Sequence, residues 1–162
     1  MSIMKSKRTP DVLPVDAPER RRLPPLLRKA WYGLNQAFRR RIAHSGITPD
    51  QFTVMRILRE TDGLTQRQLT GLMSSDPNTV ASLLERMEKA GLLKRSPHAR
   101  DRRAHQVELL AAGHRKYEEV RELAVALQTE VLQGVEESER ESFLGHLACV
   151  AAACRVAAEM RG

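Results

Sequence analysis

Apolar residues recur along most of this chain with the period of an α-helix. Between Leu23 and Phe38 they lie three or four residues apart, which predicts a first helix that ends near Ala43. The same spacing follows Gly113 and Ser138 and predicts two long helices in the C-terminal third. Three shorter helices are predicted between these regions, so most of the chain is expected to be helical.

Capping signals mark where several helices begin. Thr48, Thr65 and Ser138 each stand three residues before a glutamine or glutamate, which is the pattern of a capping box. Asp76 followed by Pro77 combines a favourable N-cap with a residue suited to the first helical position. In the helix after Thr65, three side chains are expected to face the core: Leu69, Leu72 and Met73. The helix after Asp76 is expected to bury four: Val80, Leu83, Leu84 and Met87.

The helical period is lost after Gly91. Residues 92–95 and 103–109 are too short for stable helices, and the second stretch alternates apolar with polar positions, as a half-buried strand does. A β-hairpin is therefore predicted. The fold class that follows is mainly α with a small β-hairpin wing: a winged helix-turn-helix over about residues 48–110, between helices at about 20–44 and 112–160. Residues 1–18 are expected to be a flexible arm, and residues 19–162 a single domain.

Composition narrows the function classes. With 41% hydrophobic and 29% charged residues the chain reads as soluble. No unbroken apolar run approaches the roughly 18 residues that span a bilayer, and no signal peptide is evident, so we expect a cytoplasmic protein without a membrane partner. Glycine-rich phosphate loops and the common hydrolase motifs are absent, so no enzyme, catalytic residue, cofactor or metal site is predicted. Cys149 and Cys154 are interpreted as buried structural thiols.

The formal net charge of +7 is unevenly distributed. Residues 86–103 carry seven basic side chains against two acidic ones, whereas residues 111–162 carry six against nine. A basic concentration in the predicted helix-turn-helix indicates a nucleic-acid partner. A second basic cluster precedes and enters the first helix, and we interpret it as a solvated face or flexible arm: Arg20, Arg21, Arg22, Arg28 and Lys29.

The predicted helix from Asp76 to Gly91 has the size to enter the major groove of duplex DNA. Four polar residues on or near its outer face are candidates for contacts with bases and phosphates: Asn78, Thr79, Ser82 and Arg86. Arg86 has an alternative role, as an ion-pair partner of Glu85 or Glu88. In the wing, three arginines could reach the minor groove or form a solvated turn: Arg100, Arg102 and Arg103. Gln66 and Arg67 either contact phosphate or only solvate the supporting helix.

The residues just described resemble the multiple-antibiotic-resistance regulator (MarR) family. The most specific likeness is the run Glu88-Lys-Ala-Gly-Leu92 followed about ten residues later by Asp101-Arg-Arg-Ala104. The resemblance implies a homodimer clasped by the first and last helices, which binds a palindromic DNA operator and most commonly represses. It also implies that Arg103 touches the minor groove or braces the wing through Asp101. Leu110-Ala111 departs from the family's usual helix cap, which puts the start of the next helix in doubt.

A small-molecule effector is a further implication of the resemblance. Regulators of this kind usually respond to phenolic or lipophilic ligands, and the extended N-terminus is similar to that of the urate-responsive branch. By position, three residues are candidates for binding a small anionic or phenolic effector: Trp31, His44 and Asp76. Each has a structural alternative: Trp31 as a core or dimer-interface aromatic, His44 as a helix end and Asp76 as an N-cap. A winged-helix module that binds protein rather than DNA is the alternative function, and it predicts apolar residues in place of Asn78, Ser82 and Arg86.

Overall fold

A computed structural model describes residues 14–61, 63–101 and 103–160. These residues form six α-helices and one antiparallel hairpin, which confirms the predicted fold class: α1 (Leu23–Arg41), α2 (Pro49–Glu60), α3 (Gln66–Leu72), α4 (Pro77–Lys89), β1 (Leu93–Pro97), β2 (His105–Leu109), α5 (Ala111–Leu132) and α6 (Arg140–Glu159). The chain divides into two compact units, with the boundary between Gln36 and Ala37 inside α1.

The helix starts predicted at Thr48, Thr65 and Asp76 are confirmed. The hydroxyls of Thr48 and Thr65 accept the backbone N–H groups of Gln51 and Gln68, and each glutamine side chain accepts the backbone N–H of its threonine in return. Asp76 caps α4, with Pro77 at the first helical position. Because these caps satisfy backbone donors that the helix itself leaves unpaired, they fix where each helix begins.

The core of residues 37–162 lies among α2, α3, α4 and the hairpin, and α5 adds Val120 to it. All four apolar residues predicted on the inner face of α4 are buried, between 0 and 3% exposed. An aromatic stack extends the packing: the rings of Phe38 and Phe52 meet edge to face, and those of Phe52 and Tyr117 lie parallel, each pair with 5.2 Å between centroids. The helix-turn-helix and the hairpin therefore share one core, to which α1 and α5 also contribute side chains.

The hairpin is the predicted wing. Its strands pair antiparallel from Leu93 opposite Leu109 to Pro97 opposite His105. The segment before α3 extends this pairing, because the backbone N–H of Val107 donates to the Leu64 carbonyl at 2.9 Å. The wing is thus joined by hydrogen bonds to the helix-turn-helix that precedes it.

A glycine allows α5 to begin directly against the base of the wing. The helix starts at Ala111, and its N-cap residue Leu110 makes no side-chain capping bond, consistent with the unusual residues at this point. Instead the backbone N–H of Leu110 donates to the Leu92 carbonyl at 3.0 Å. A Cβ atom on Gly113 would lie 2.2 Å from that same carbonyl oxygen, so a larger residue cannot fit without moving backbone.

Three predictions about the helices are wrong. Ser138 does not cap α6, because Glu137–Glu139 form a short 3-10 turn and the helix starts at Arg140 without a side-chain cap. Leu72 is 57% exposed rather than inward, because α3 ends at this residue and the chain turns away. Cys149 and Cys154 are exposed rather than buried, because α6 buries none of its residues.

The exposed surface of α6 is strongly apolar. The segment Glu137–Glu159 has a mean hydropathy of 1.2, which by length and composition alone suffices to cross a membrane. This segment is not an unbroken apolar run of that length, because charged residues stand near both of its ends and the uncharged stretch covers only residues 142–154. One such helix is weak evidence for a membrane span, because a helix that is covered by another protein surface passes the same test.

Candidate nucleic-acid interface

The two faces of α4 differ sharply in chemistry. The inner face is apolar and buried, whereas Asn78, Thr79, Ser82 and Arg86 are all exposed. Asn78 and Thr79 lie in the first turn, where backbone N–H groups and the helix dipole favour negatively charged groups. The helix therefore offers an uninterrupted polar surface on the side that the core does not use.

Asp76 holds the beginning of α4 in place. Its carboxylate accepts the Thr79 backbone N–H at 2.9 Å and the Thr79 hydroxyl at 2.5 Å. The hydroxyl bond and then the backbone bond lower the pKa of the Asp76 carboxyl below its usual value. The N-cap alternative for Asp76 is thus realised, and the Thr79 hydroxyl that was a candidate for DNA contact is a partner of this cap.

Arg86 does not pair with either neighbouring glutamate. Its Nε donates to the Ser82 carbonyl at 3.3 Å. Glu85 instead pairs with Lys89, with 2.7 Å between Oε1 and Nζ, and the bond lowers the pKa of Glu85. Glu85 and Glu88 form ion pairs with Lys89 and Arg95 instead. The Arg86 guanidinium, on the exposed face of α4, is therefore a candidate for contacting an anion.

The pairing of Glu88 with Arg95 was not foreseen from the sequence. Glu88 accepts the backbone N–H of Arg95 at 2.9 Å and its guanidinium at 2.7 and 3.0 Å, and these bonds lower the pKa of the Glu88 carboxyl. The bonds tie the last turn of α4 to β1. The partners are seven residues apart in the sequence, a spacing that corresponds to two turns of a continuous helix. Here, however, the helix ends and the chain reverses at Gly91, whose φ is +71°, and this reversal brings Arg95 back to Glu88.

The tip of the wing is a compact turn that Asp101 organises. The Asp101 carboxylate accepts the Arg103 backbone N–H at 2.9 Å, and its carbonyl accepts the N–H of Ala104 at 3.0 Å. The backbone N–H of His98 donates to the Ala104 carbonyl at 2.9 Å and closes the turn. Arg100 and Arg103 are exposed at this tip, and Arg102 lies outside the described residues.

The first turn of α3 contains two further candidates for phosphate contact: Gln66, which is half-buried, and Arg67, which is exposed.

The three candidate effector residues fall in different surroundings. Trp31 is 63% exposed on α1, which excludes a place in the core of the single chain. His44 is exposed in the 3-10 turn Ala43–Ser45, beyond the end of α1, and Asp76 caps α4. A cavity of about 120 Å³ near the wing base is lined by none of these three.

A helix with a polar outer face, a preceding short helix and a β-hairpin with exposed arginines define a winged helix-turn-helix of the nucleic-acid-binding class. Comparison with known proteins gives the family. The MarR family profile matches residues 47–105, and the transcriptional regulator HosA of Escherichia coli is 30% identical over 124 residues, which span 74% of this chain and 92% of HosA. The chain belongs to the MarR family, whose matched members are transcriptional regulators rather than enzymes.

Many solved structures share this fold, BpsR and MosR among them. BpsR of Bordetella bronchiseptica, whose DNA binding is regulated by 6-hydroxynicotinic acid, is 26% identical with a TM-score of 0.75, and the match covers 81% of this chain and 94% of BpsR. MosR of M. tuberculosis, solved in complex with DNA, is 27% identical with a TM-score of 0.66 and coverage of 80% and 96%. The similarity spans nearly the whole of both proteins.

Proposed function

We propose that this protein is a cytoplasmic repressor that binds a palindromic operator as a homodimer and releases it in response to a small aromatic acid. The observation that carries the proposal is the polar outer face of α4, with Arg86 beside two glutamates that are already paired. A protein-interaction module would instead need apolar residues at Asn78, Ser82 and Arg86, where the chain has none.

In this proposal α4 enters the major groove and the wing reaches the adjacent minor groove. Arginine is suited to the O6 and N7 acceptors of guanine, and asparagine to adenine, so Arg86 and Asn78 would read bases. Gln66, Arg67 and the first turn of α4 would contact phosphates, and Arg100, Arg102 and Arg103 would lie along the minor groove. Asp101 would act on this contact indirectly, by holding the Arg103 backbone in the turn.

Two observations support a homodimer. Neither α1 nor α6 buries any residue within the chain. Both nevertheless expose large apolar side chains, among them Trp31, Tyr32, Phe143 and Leu147. Apolar surface of this extent is rarely left in water, and a second copy of the same helices would cover it with matching chemistry. A two-fold axis then implies a palindromic operator with half-sites about one helical turn apart.

Regulation by a small aromatic acid is supported by the similarity to BpsR. Trp31, His44 and Asp76 are the candidate contacts. A ligand carboxylate close to Asp76 would repel its carboxylate and disturb the cap that fixes the start of α4, which would weaken DNA binding. Titration with 6-hydroxynicotinate, urate and salicylate tests this: operator affinity unchanged by all three at millimolar concentration would contradict regulation by this class of ligand.

Selection of bound duplexes from random DNA tests the main proposal. We expect an enriched inverted repeat, and we expect Arg86→Ala to lower affinity for it by about 1–3 kcal/mol while relaxing the preference at one position of each half-site. Arg115→Ala, on the exposed surface of α5, is the matched control and should bind with unchanged affinity. Failure to enrich any sequence, or equal losses in both variants, would contradict sequence-specific recognition by α4.

A further inference from the structure

The net positive charge of this chain comes from one stretch that contains no acidic residue. Residues 20–41 contain eight arginines and lysines and no aspartate or glutamate. Residues 1–19 contain three basic and three acidic residues, and residues 42–162 contain sixteen against seventeen, a net of −1. The overall +7 is therefore the +8 of residues 20–41, reduced by one elsewhere.

The winged helix-turn-helix offers fewer cations to DNA than its composition suggests. Residues 48–110 contain ten basic and eight acidic residues, a net of +2. Four of those basic residues are held in ion pairs within the chain: Arg59 with Glu118, Lys89 with Glu85, Lys94 with Glu108, and Arg95 with Glu88, at 2.6, 2.7, 3.0 and 2.7 Å. Because duplex DNA carries about one negative charge per 1.7 Å of axis, cations from outside these residues would add to the electrostatic attraction.

The residues at the start of α1 carry several exposed positive charges. Arg20, Arg21 and Arg22 lie immediately before the helix, and all three are exposed. Pro24 and Pro25 occupy its first turn, and Arg28 and Lys29 follow within the second turn, exposed as well. We call four of these cations the basic N-terminal surface: Arg21, Arg22, Arg28 and Lys29.

We propose that the basic N-terminal surface is a second DNA-contact element, which binds the phosphate backbone without reading sequence. This inference rests on the proposed DNA-binding function and adds to it. In the division of labour that follows, α4 supplies sequence discrimination and the N-terminal surface supplies much of the electrostatic affinity. In a homodimer each substitution removes two charges.

The salt dependence of operator binding tests this proposal. Two double variants, Arg21→Gln with Arg22→Gln and Arg28→Gln with Lys29→Gln, each remove four charges from the dimer. If all four charges contact phosphate, the slope of log K against log salt concentration becomes less negative by about 3.6. Affinity for random duplex should fall by the same factor as affinity for the operator, because backbone contacts do not discriminate sequence.

Arg115→Gln with Arg121→Gln is the matched control, because it removes the same number of exposed charges from α5. Its change in slope reports the effect of net charge alone, so N-terminal variants that match it would overturn the proposal. Flotation with phosphatidylserine vesicles covers the other polyanion: vesicle binding lost in the N-terminal variants while DNA affinity stays unchanged would assign the surface to lipid. Should the wild type bind no DNA at all, the proposed function fails before this inference is reached.

Discussion

Helices α4 and α6 of this regulator have opposite relations to the rest of the chain. The thirteen residues of α4 include four that are buried, and its outer face is polar. The twenty residues of α6 include none that is buried, although its surface is rich in apolar side chains. An amphipathic helix is satisfied by its own domain, whereas an exposed apolar helix requires a partner. The winged lobe, which comprises α2 to β2, is therefore stabilised by its own core, whereas the apolar surface of α6 needs a partner to cover it.

The largest effect is expected inside the lobe. Leu84→Ala removes a fully buried side chain from α4 and should lower the free energy of unfolding by about 2–5 kcal/mol, because it leaves a cavity in a packed core. Denaturant unfolding at fixed protein concentration measures the change. Ser82→Ala on the opposite face is the control and should stay within about 0.5 kcal/mol of the wild type. A loss below 1 kcal/mol for Leu84→Ala would mean that α4 is not held as described.

A similarly severe loss is expected where α5 meets the wing. Gly113→Ala places a Cβ atom 2.2 Å from the Leu92 carbonyl oxygen, so the backbone must shift, with an expected cost of about 2–3 kcal/mol. Thermal unfolding gives the comparison with Gly71→Ala in α3, where nothing lies within 4 Å of the new methyl group. That control should be neutral or more stable by up to about 1 kcal/mol, since alanine favours helix. Equal stability of the two variants would contradict the close approach.

The terminal helices are expected to respond in a different observable. Leu147→Glu introduces a charge on the exposed apolar face of α6, where the leucine is 39% exposed. In the proposed homodimer this substitution should weaken association at least tenfold, about 1.4 kcal/mol. The far-UV circular dichroism of the protein should stay unchanged, because the winged lobe remains folded. Sedimentation velocity measures the shift towards monomer, and Glu141→Gln on the same helix is the control. A dimer of undiminished affinity would exclude this face of α6 from the interface.

The smallest effect is expected at the cap of α4. Since the folded chain lowers the pKa of Asp76, the charged cap stabilises above the unfolded pKa of about 3.9, and this contribution disappears as pH falls through the lower folded pKa. Asp76→Asn retains an N-cap acceptor but should abolish this part of the pH dependence. Unfolding followed between pH 6 and pH 2.5 compares the two proteins. Parallel pH curves would show that the Thr79 bonds do not favour the charged form.

Much of the lobe could be predicted because its signals are local. The capping boxes at Thr48 and Thr65 and the N-cap at Asp76 depend on residues within three positions of one another, and the structure confirms them. The burial of α4 followed from the helical period alone. The false signal at Ser138 shows the limit: the residue pattern is present, but a 3-10 turn at Glu137–Glu139 precedes the helix instead. Similarly, the exposure of Leu72 depends on where α3 stops.

Periodicity, caps and motifs involve neighbouring residues, so the amino-acid sequence alone predicts most of the helices, the hairpin, the polar outer face of α4 and the likeness to a regulator family. Which charged side chains are available for a partner depends instead on the fold. Distance in space, not in sequence, pairs Arg95 with Glu88 and Lys94 with Glu108, and leaves Arg86 without a glutamate partner among its neighbours. The exposure of α6 and its two cysteines could not be predicted from the sequence either. Whether a helix is buried depends on which other elements cover it, and the sequence of the helix alone does not show that.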